Sequence, residues 1–122
     1  MTGIYIHIPF CIRKCPYCAF YSVEYNEELK RQYVSSLIRN IRGYKGRNIP
    51  ADTVYFGGGT PSLLAPDELE GILSAVKESF LLAPDSEITI EANPSSTDYN
   101  KLAAYRKAGA NRISFGVQSS ND

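Results

Sequence analysis

The chain of 122 residues carries no excess of charge: thirteen Lys and Arg balance thirteen Asp and Glu. Nothing electrostatic therefore steers it toward nucleic acid or an anionic membrane. It contains no apolar run long enough to span a bilayer, so no integral membrane segment is expected. The opening Met1-Thr2-Gly3-Ile4 lacks the charged flank and apolar stretch of a signal peptide, and the expected location is the cytoplasm. There is no internal repeat, no low-complexity segment and a single histidine, His7. Cysteine is absent everywhere except at Cys11, Cys15 and Cys18. An odd, clustered set excludes a disulfide framework and points to metal binding or catalysis. The length allows one modest hydrophobic core.

What is there alternates between strand and helix. Ile4–Ile8 reads as a strand, and residues 9–22 as a loop holding the cysteines. Asn26 can cap a helix whose first turn holds Glu27 and Glu28. Tyr33, Val34, Leu37, Ile38 and Ile41 keep the helical period, and Gly43 and Gly46 end it. A second strand, Thr53–Phe56, runs into Gly57-Gly58-Gly59-Thr60-Pro61. Pro66, Asp67 and Glu68 suit the start of a second helix, with Leu69, Ile72, Leu73, Val76 and Phe80 as its buried stripe. A third strand spans Glu87–Ala92, a third helix Asp98–Ala108 with Gly109 as its C-terminal cap, and a fourth strand Arg112–Val117. The order βαβαβαβ implies an α/β fold with a parallel sheet and helical crossovers.

A parallel strand covered on both faces reads as a continuous apolar run. These strands alternate instead. Ile4, Ile6 and Ile8 oppose Tyr5 and His7; Ile88, Ile90 and Ala92 oppose Glu87, Thr89 and Glu91; Ile113, Phe115 and Val117 oppose Ser114, Gly116 and Gln118. The apolar face should meet the helices. The polar face then lines a ligand-filled space or is simply solvated; the lined cavity is preferred, because α/β folds place their sites at strand C-termini. Four strands cannot close a barrel, which takes roughly 200 residues or more. The chain therefore reads as the N-terminal portion, residues 1–122, of an incomplete barrel whose last strand is an open edge.

The cysteines follow the spacing C-x3-C-x2-C. Thiolates hold iron–sulfur clusters, usually four for a four-iron cube, so three would leave one iron open. Arg13 and Lys14 suit thiolates and an anionic cluster. The competing reading is a structural zinc site with His7 as fourth ligand, in a binding module without redox chemistry. Zinc sites usually present two separated ligand pairs, whereas these three thiols share one short loop. The cluster is preferred, with a packing or supporting role for His7.

Four stretches together resemble a known family: Ile4-Tyr5-Ile6-His7-Ile8-Pro9-Phe10-Cys11 through Cys18, Tyr55-Phe56-Gly57-Gly58-Gly59-Thr60-Pro61-Ser62, Glu91-Ala92-Asn93-Pro94, and Arg112-Ile113-Ser114-Phe115-Gly116-Val117-Gln118. They resemble the radical S-adenosylmethionine (radical SAM) enzymes, within them the branch of oxygen-independent coproporphyrinogen oxidase and the related heme chaperone. The resemblance implies a partial (β/α)6 TIM-like barrel. It implies a [4Fe–4S] cluster on Cys11, Cys15 and Cys18, with S-adenosylmethionine chelating the fourth iron. One electron from an external donor, passed through the cluster, would cleave the sulfonium to methionine and a 5′-deoxyadenosyl radical. By similarity Gly58, Gly59 and Thr60 receive the methionine end, and Tyr5, Tyr17, Glu91 and Gln118 contact the cofactor. The plainer alternatives are a tight turn for the glycines, a salt bridge for Glu91, a solvated strand end for Gln118 and loop packing for Tyr17. The glycine stretch is neither a P-loop, having no Lys after it, nor a dinucleotide fingerprint, having Ser62 in place of the last glycine.

One departure from the oxidase pattern favours the chaperone side of this branch. The oxidase has a further cysteine two positions after the third; here Phe20 stands there, as in the chaperone type. The resemblance thus implies a heme chaperone, with heme or porphyrin as a further ligand and a heme-acceptor protein as partner. The alternative is coproporphyrinogen oxidation in heme synthesis.

Overall fold

The computed structural model describes residues 2–11, 23–24, 27–58, 61–92 and 99–115. Along the chain these form β1 (Thr2–Ile8), β2 (Phe10–Cys11), β3 (Val23–Glu24), α1 (Glu27–Arg42), β4 (Pro50–Gly58), a 3-10 turn (Pro61–Leu63), α2 (Pro66–Ser79), β5 (Leu81–Ala92), α3 (Tyr99–Ala108) and β6 (Arg112–Phe115). β1, β4, β5 and β6 make one sheet in that order. Every neighbouring pair is parallel, as the alternation of strand and helix requires.

The alternation along each strand sorts the two faces. Ile6 and Ile8 of β1, Val54 and Phe56 of β4, and Ile88 and Ile90 of β5 are buried in a single cluster with Val34 and Ile41 of α1, Leu69, Ile72, Leu73 and Val76 of α2, and Tyr105 of α3. Helices thus cover the apolar face. Tyr33, Leu37, Ile38 and Phe80 pack partly buried at the rim of this core. On the other face Tyr5 and His7 are exposed and Glu91 half-buried. Thr89 is an exception: although polar, it is buried between the neighbouring strands.

Several elements differ from the sequence reading. β4 begins at Pro50 and β5 at Leu81, both earlier than expected. Pro50 and Ala51 pair with Leu81 and Leu82, and then the register jumps from Ala51 to Thr53 opposite Glu87. The residues Ala83–Ser86 between the two registers include Pro84, which cannot donate to a ladder, and Ser86 Oγ donates to the Ala83 carbonyl at 2.5 Å. The start of the cysteine loop is not irregular either: Phe10 and Cys11 pair in parallel with Val23 and Glu24. Two-residue strands carry too little periodicity to be read.

The helix ends behave as their residues dictate. Pro66 opens α2, and Glu68 accepts the Ala65 N–H at 2.8 Å, which is the backward half of a capping box. Gly109, at φ +134°, follows α3 and donates its N–H to the Tyr105 carbonyl. Asn111 then sets β6 against β5: its side chain accepts from the Ile88 N–H at 2.8 Å and donates to the Ser86 carbonyl at 2.9 Å. The expected cap Asn26 and the strand continuation to Val117 lie outside the described residues. Among the described residues no helix is long and apolar enough to cross a membrane.

Candidate functional site

Parallel pairing brings the C-terminal ends of β1, β4 and β5 to one edge of the sheet. The register sets Tyr5 beside Tyr55, His7 beside Gly57 and Ile8 beside Gly58. It also sets Tyr55 beside Thr89, and Glu91 beside Ser114. Because side chains alternate, Tyr5, His7, Tyr55, Glu91 and Ser114 share the face away from the helices.

The centre of this face is an aromatic and carboxylate cluster. Tyr5 and Tyr55 stack with ring centroids 6.0 Å apart and planes at 15°. The Tyr55 hydroxyl donates to Glu91 Oε2 at 2.7 Å. That bond to the carboxylate, then burial, pushes the Tyr55 phenol above its ordinary value, with Ser114 acting in the opposite direction. Burial and the Glu91 charge raise Tyr5 as well. Tyr5 Oη lies 3.4 Å from His7 Nδ1, a long contact whose direction depends on the imidazole tautomer. Behind His7, its carbonyl accepts from the Tyr33 hydroxyl, and the Tyr33 ring meets Phe10 edge-on at 5.6 Å. α1 thereby buttresses the exit of β1 just before Cys11.

Glycine is required where β4 leaves the sheet. Gly58 has φ +116°, and a Cβ there would sit 2.6 Å from the Ile8 carbonyl oxygen and 2.9 Å from the His7 ring. At Gly57 a Cβ would strike Tyr5 Oη at 2.8 Å and the rings of Tyr5 and Tyr55 at 3.0 Å. The bare backbone lets both phenols lean over β4.

A cavity of about 310 Å³ opens on the same face, lined by Thr53, Val54, Tyr55, Glu87, Thr89, Arg112 and Ser114. It lies nearer the strand N-termini than expected, with Tyr55 joining it to the Tyr5–Glu91 cluster. The exposed Arg112 and Glu87 pair at 3.0 Å. The open polar face is therefore one continuous surface rather than a site confined to the strand ends.

Of the residues singled out from sequence, the structure brings Tyr5, Gly58 and Glu91 together on this edge. It places the backbone of Cys11 in β2, immediately beyond it. Cys15, Cys18, Tyr17, Gly59, Thr60 and Gln118 lie outside the described residues, as does the Cys11 side chain. Sequence reasoning did not select Tyr55 as a site residue. The signal was present, since Tyr55 lies two positions from Gly57 on the alternating strand, but its partner Glu91 is 36 residues away and only the β4–β5 register joins them.

With fold and site geometry established, comparison with known proteins places the chain. The sequence profile of the radical SAM superfamily matches residues 5–122, and the chain belongs to that superfamily. Its sheet and helices superpose on coproporphyrinogen III oxidase (HemN) from Escherichia coli with a TM-score of 0.81 and 31% identity, over 95% of this chain and 27% of that one. It is therefore an α/β unit of the radical SAM barrel type. The chain is 42% identical to the heme chaperone HemW of Escherichia coli K12, over 96% of its own length and 32% of the relative's. It is 44% identical to HemW of Synechocystis, over 99% and 31%, and 43% identical to anaerobilin synthase of Escherichia coli O157:H7, over 97% and 27%. The chain thus spans about a third or less of the length of these relatives.

Proposed function

We propose that this chain is the cofactor-binding N-terminal portion of a heme chaperone of the radical SAM type. The Tyr55–Glu91 hydrogen bond carries the reading, because it fixes a carboxylate beside stacked phenols at the edge where β1 runs toward Cys11 and β4 ends in glycines. Carboxylate, phenol and imidazole are acceptors suited to ammonium and hydroxyl groups, and S-adenosylmethionine offers both. This set of acceptors therefore fits the cofactor.

In this reading Cys11, Cys15 and Cys18 hold a [4Fe–4S] cluster. Gly58, Gly59 and Thr60 take the methionine end of S-adenosylmethionine, and Tyr5, Tyr17, Glu91 and Gln118 contact the rest. Once bound, such a cluster would supply one electron, received from an external donor, for reductive cleavage of the sulfonium, and the protein's part would be position and exclusion of water. Tyr55 orients the Glu91 carboxylate, and the Tyr5 ring covers Gly57. Gly58 lets the β4 backbone turn where any side chain would collide with β1.

The chaperone is favoured over porphyrinogen oxidation by Phe20, which stands where the oxidase carries a further cysteine. Heme or porphyrin would be the further ligand and a heme-acceptor protein the partner. The test is metal and product analysis of the full-length protein purified and reconstituted without oxygen. Iron and sulfide at about four each per chain, with reductant-dependent 5′-deoxyadenosine, support the cluster. One zinc with no sulfide would establish the zinc-stabilised module instead. Heme binding without turnover of coproporphyrinogen supports the chaperone, and turnover would make it the oxidase.

A further inference from the structure

Among the described residues one charged side chain is deeply buried. Lys30, in the first turn of α1, is 3% exposed. A buried ammonium persists only when paired and hydrogen-bonded. Lys30 Nζ lies 3.0 Å from Glu68 Oε1, 3.5 Å from Glu27 Oε1, and donates to the Leu63 carbonyl at 3.1 Å. Glu68 is itself 14% exposed and accepts the Ala65 N–H. A second helix reaches the same segment: the Tyr105 hydroxyl of α3 donates to the Leu64 carbonyl at 2.5 Å.

The position of this node in the chain is what matters. Leu63, Leu64 and Ala65 form the limb by which the chain returns from the glycines of β4 into α2. Lys30 stands one helical turn after Glu27, where the chain enters α1 from β3, and β3 pairs with β2 and thus with the backbone of Cys11. β2 in turn lies against the 3-10 turn Pro61–Leu63. One buried ammonium therefore ties the first turn of α1, which follows β3 in the chain, to the limb between the 3-10 turn and α2.

We propose that Lys30 is a positioning residue that couples the start of α1 to the limb leading from β4 into α2, so that it sets the affinity for S-adenosylmethionine without touching it. The inference rests on the cofactor reading above. Breaking the clamp frees the Leu63 carbonyl limb to shift against the end of β4, where Gly58 lies. Equal exchange of charge for charge should preserve the function, since an arginine head still meets both a carboxylate and a carbonyl.

The experiment is equilibrium binding of S-adenosylmethionine to the anaerobically reconstituted full-length protein, with iron content and amide hydrogen exchange measured on the same samples. Lys30→Met should weaken binding about tenfold, leave iron content near that of the parent, and speed exchange at Leu64 and Leu69. Lys30→Arg should restore most of the affinity. Ile41→Ala, a core truncation at the far end of α1, should lower stability without changing affinity. If Lys30→Met does not fold, Glu68→Gln weakens the same node while keeping an acceptor for the Ala65 N–H, and it should show the same loss of affinity in smaller measure. Unchanged affinity in whichever of these variants folds, or an equal loss in Ile41→Ala, would overturn the coupling. Absence of cluster or cofactor binding in the parent protein would instead defeat the functional reading beneath it.

Discussion

Glu91 and its partner Tyr55 show how little machinery is needed to aim a carboxylate. A half-buried carboxylate on an open sheet face has several rotamers; a 2.7 Å bond from the Tyr55 hydroxyl selects one. Tyr55→Phe should cost about 1 kcal/mol of stability in urea unfolding and lower cofactor affinity severalfold. Gly58 is constrained more tightly, by a positive φ and by a Cβ position 2.6 Å from the Ile8 carbonyl. Gly58→Ala should cost about 3 kcal/mol, read as a fall in the urea midpoint. Tyr105 supplies a pH dependence. Burial, and then the Glu68 charge, raise its phenol far above the ordinary 10.0. The unfolded chain ionises first, so the stabilising contribution is whole below pH 10 and is lost as pH rises toward the folded value. Tyr105→Phe should flatten the decline in stability above pH 10, checked by chemical denaturation across that range.

At the scale of elements, the ion pairs divide sharply by burial. Arg31–Glu28 and Arg112–Glu87 are exposed on both sides, and removing either should change stability by no more than about 0.5 kcal/mol. Glu68→Ala removes the nearer carboxylate of a buried lysine and the acceptor for the Ala65 N–H at the start of α2. It should cost about 3 kcal/mol by thermal unfolding, several times the exposed pairs. Most of these elements were legible in the sequence, because helical and alternating periods persist over ten residues or so. The β2–β3 bridge and the early start of β5 were not. The first is too short to have a period, and the second depends on a register jump that only a neighbouring strand defines.

Across the whole molecule the sheet separates stability from chemistry. One face carries the core under three helices; the other carries Tyr5, Tyr55, Glu91 and the cavity that continues toward Arg112. Adjacent residues of β5 should therefore fail in opposite ways. Ile90 is fully buried, and Ile90→Ala should cost about 2–5 kcal/mol, seen in thermal unfolding. Glu91→Gln should leave the unfolding transition within about 1 kcal/mol and weaken S-adenosylmethionine binding at least tenfold in equilibrium dialysis.

Periodicity and spacing by themselves determined the order of the four sheet strands and the three helices, which face of those strands is mainly apolar, and that three cysteines fall within eight residues of one another. Those properties are local, since each depends on residues within a few positions of one another. Tertiary structure alone decided that Tyr55 meets Glu91, that Thr89 is buried despite its hydroxyl, and that Lys30 is sealed between α1 and the limb leaving the glycine turn. Each joins residues more than thirty positions apart or depends on strands closing over a side chain, and a linear pattern does not record which distant backbone will come to lie beside it.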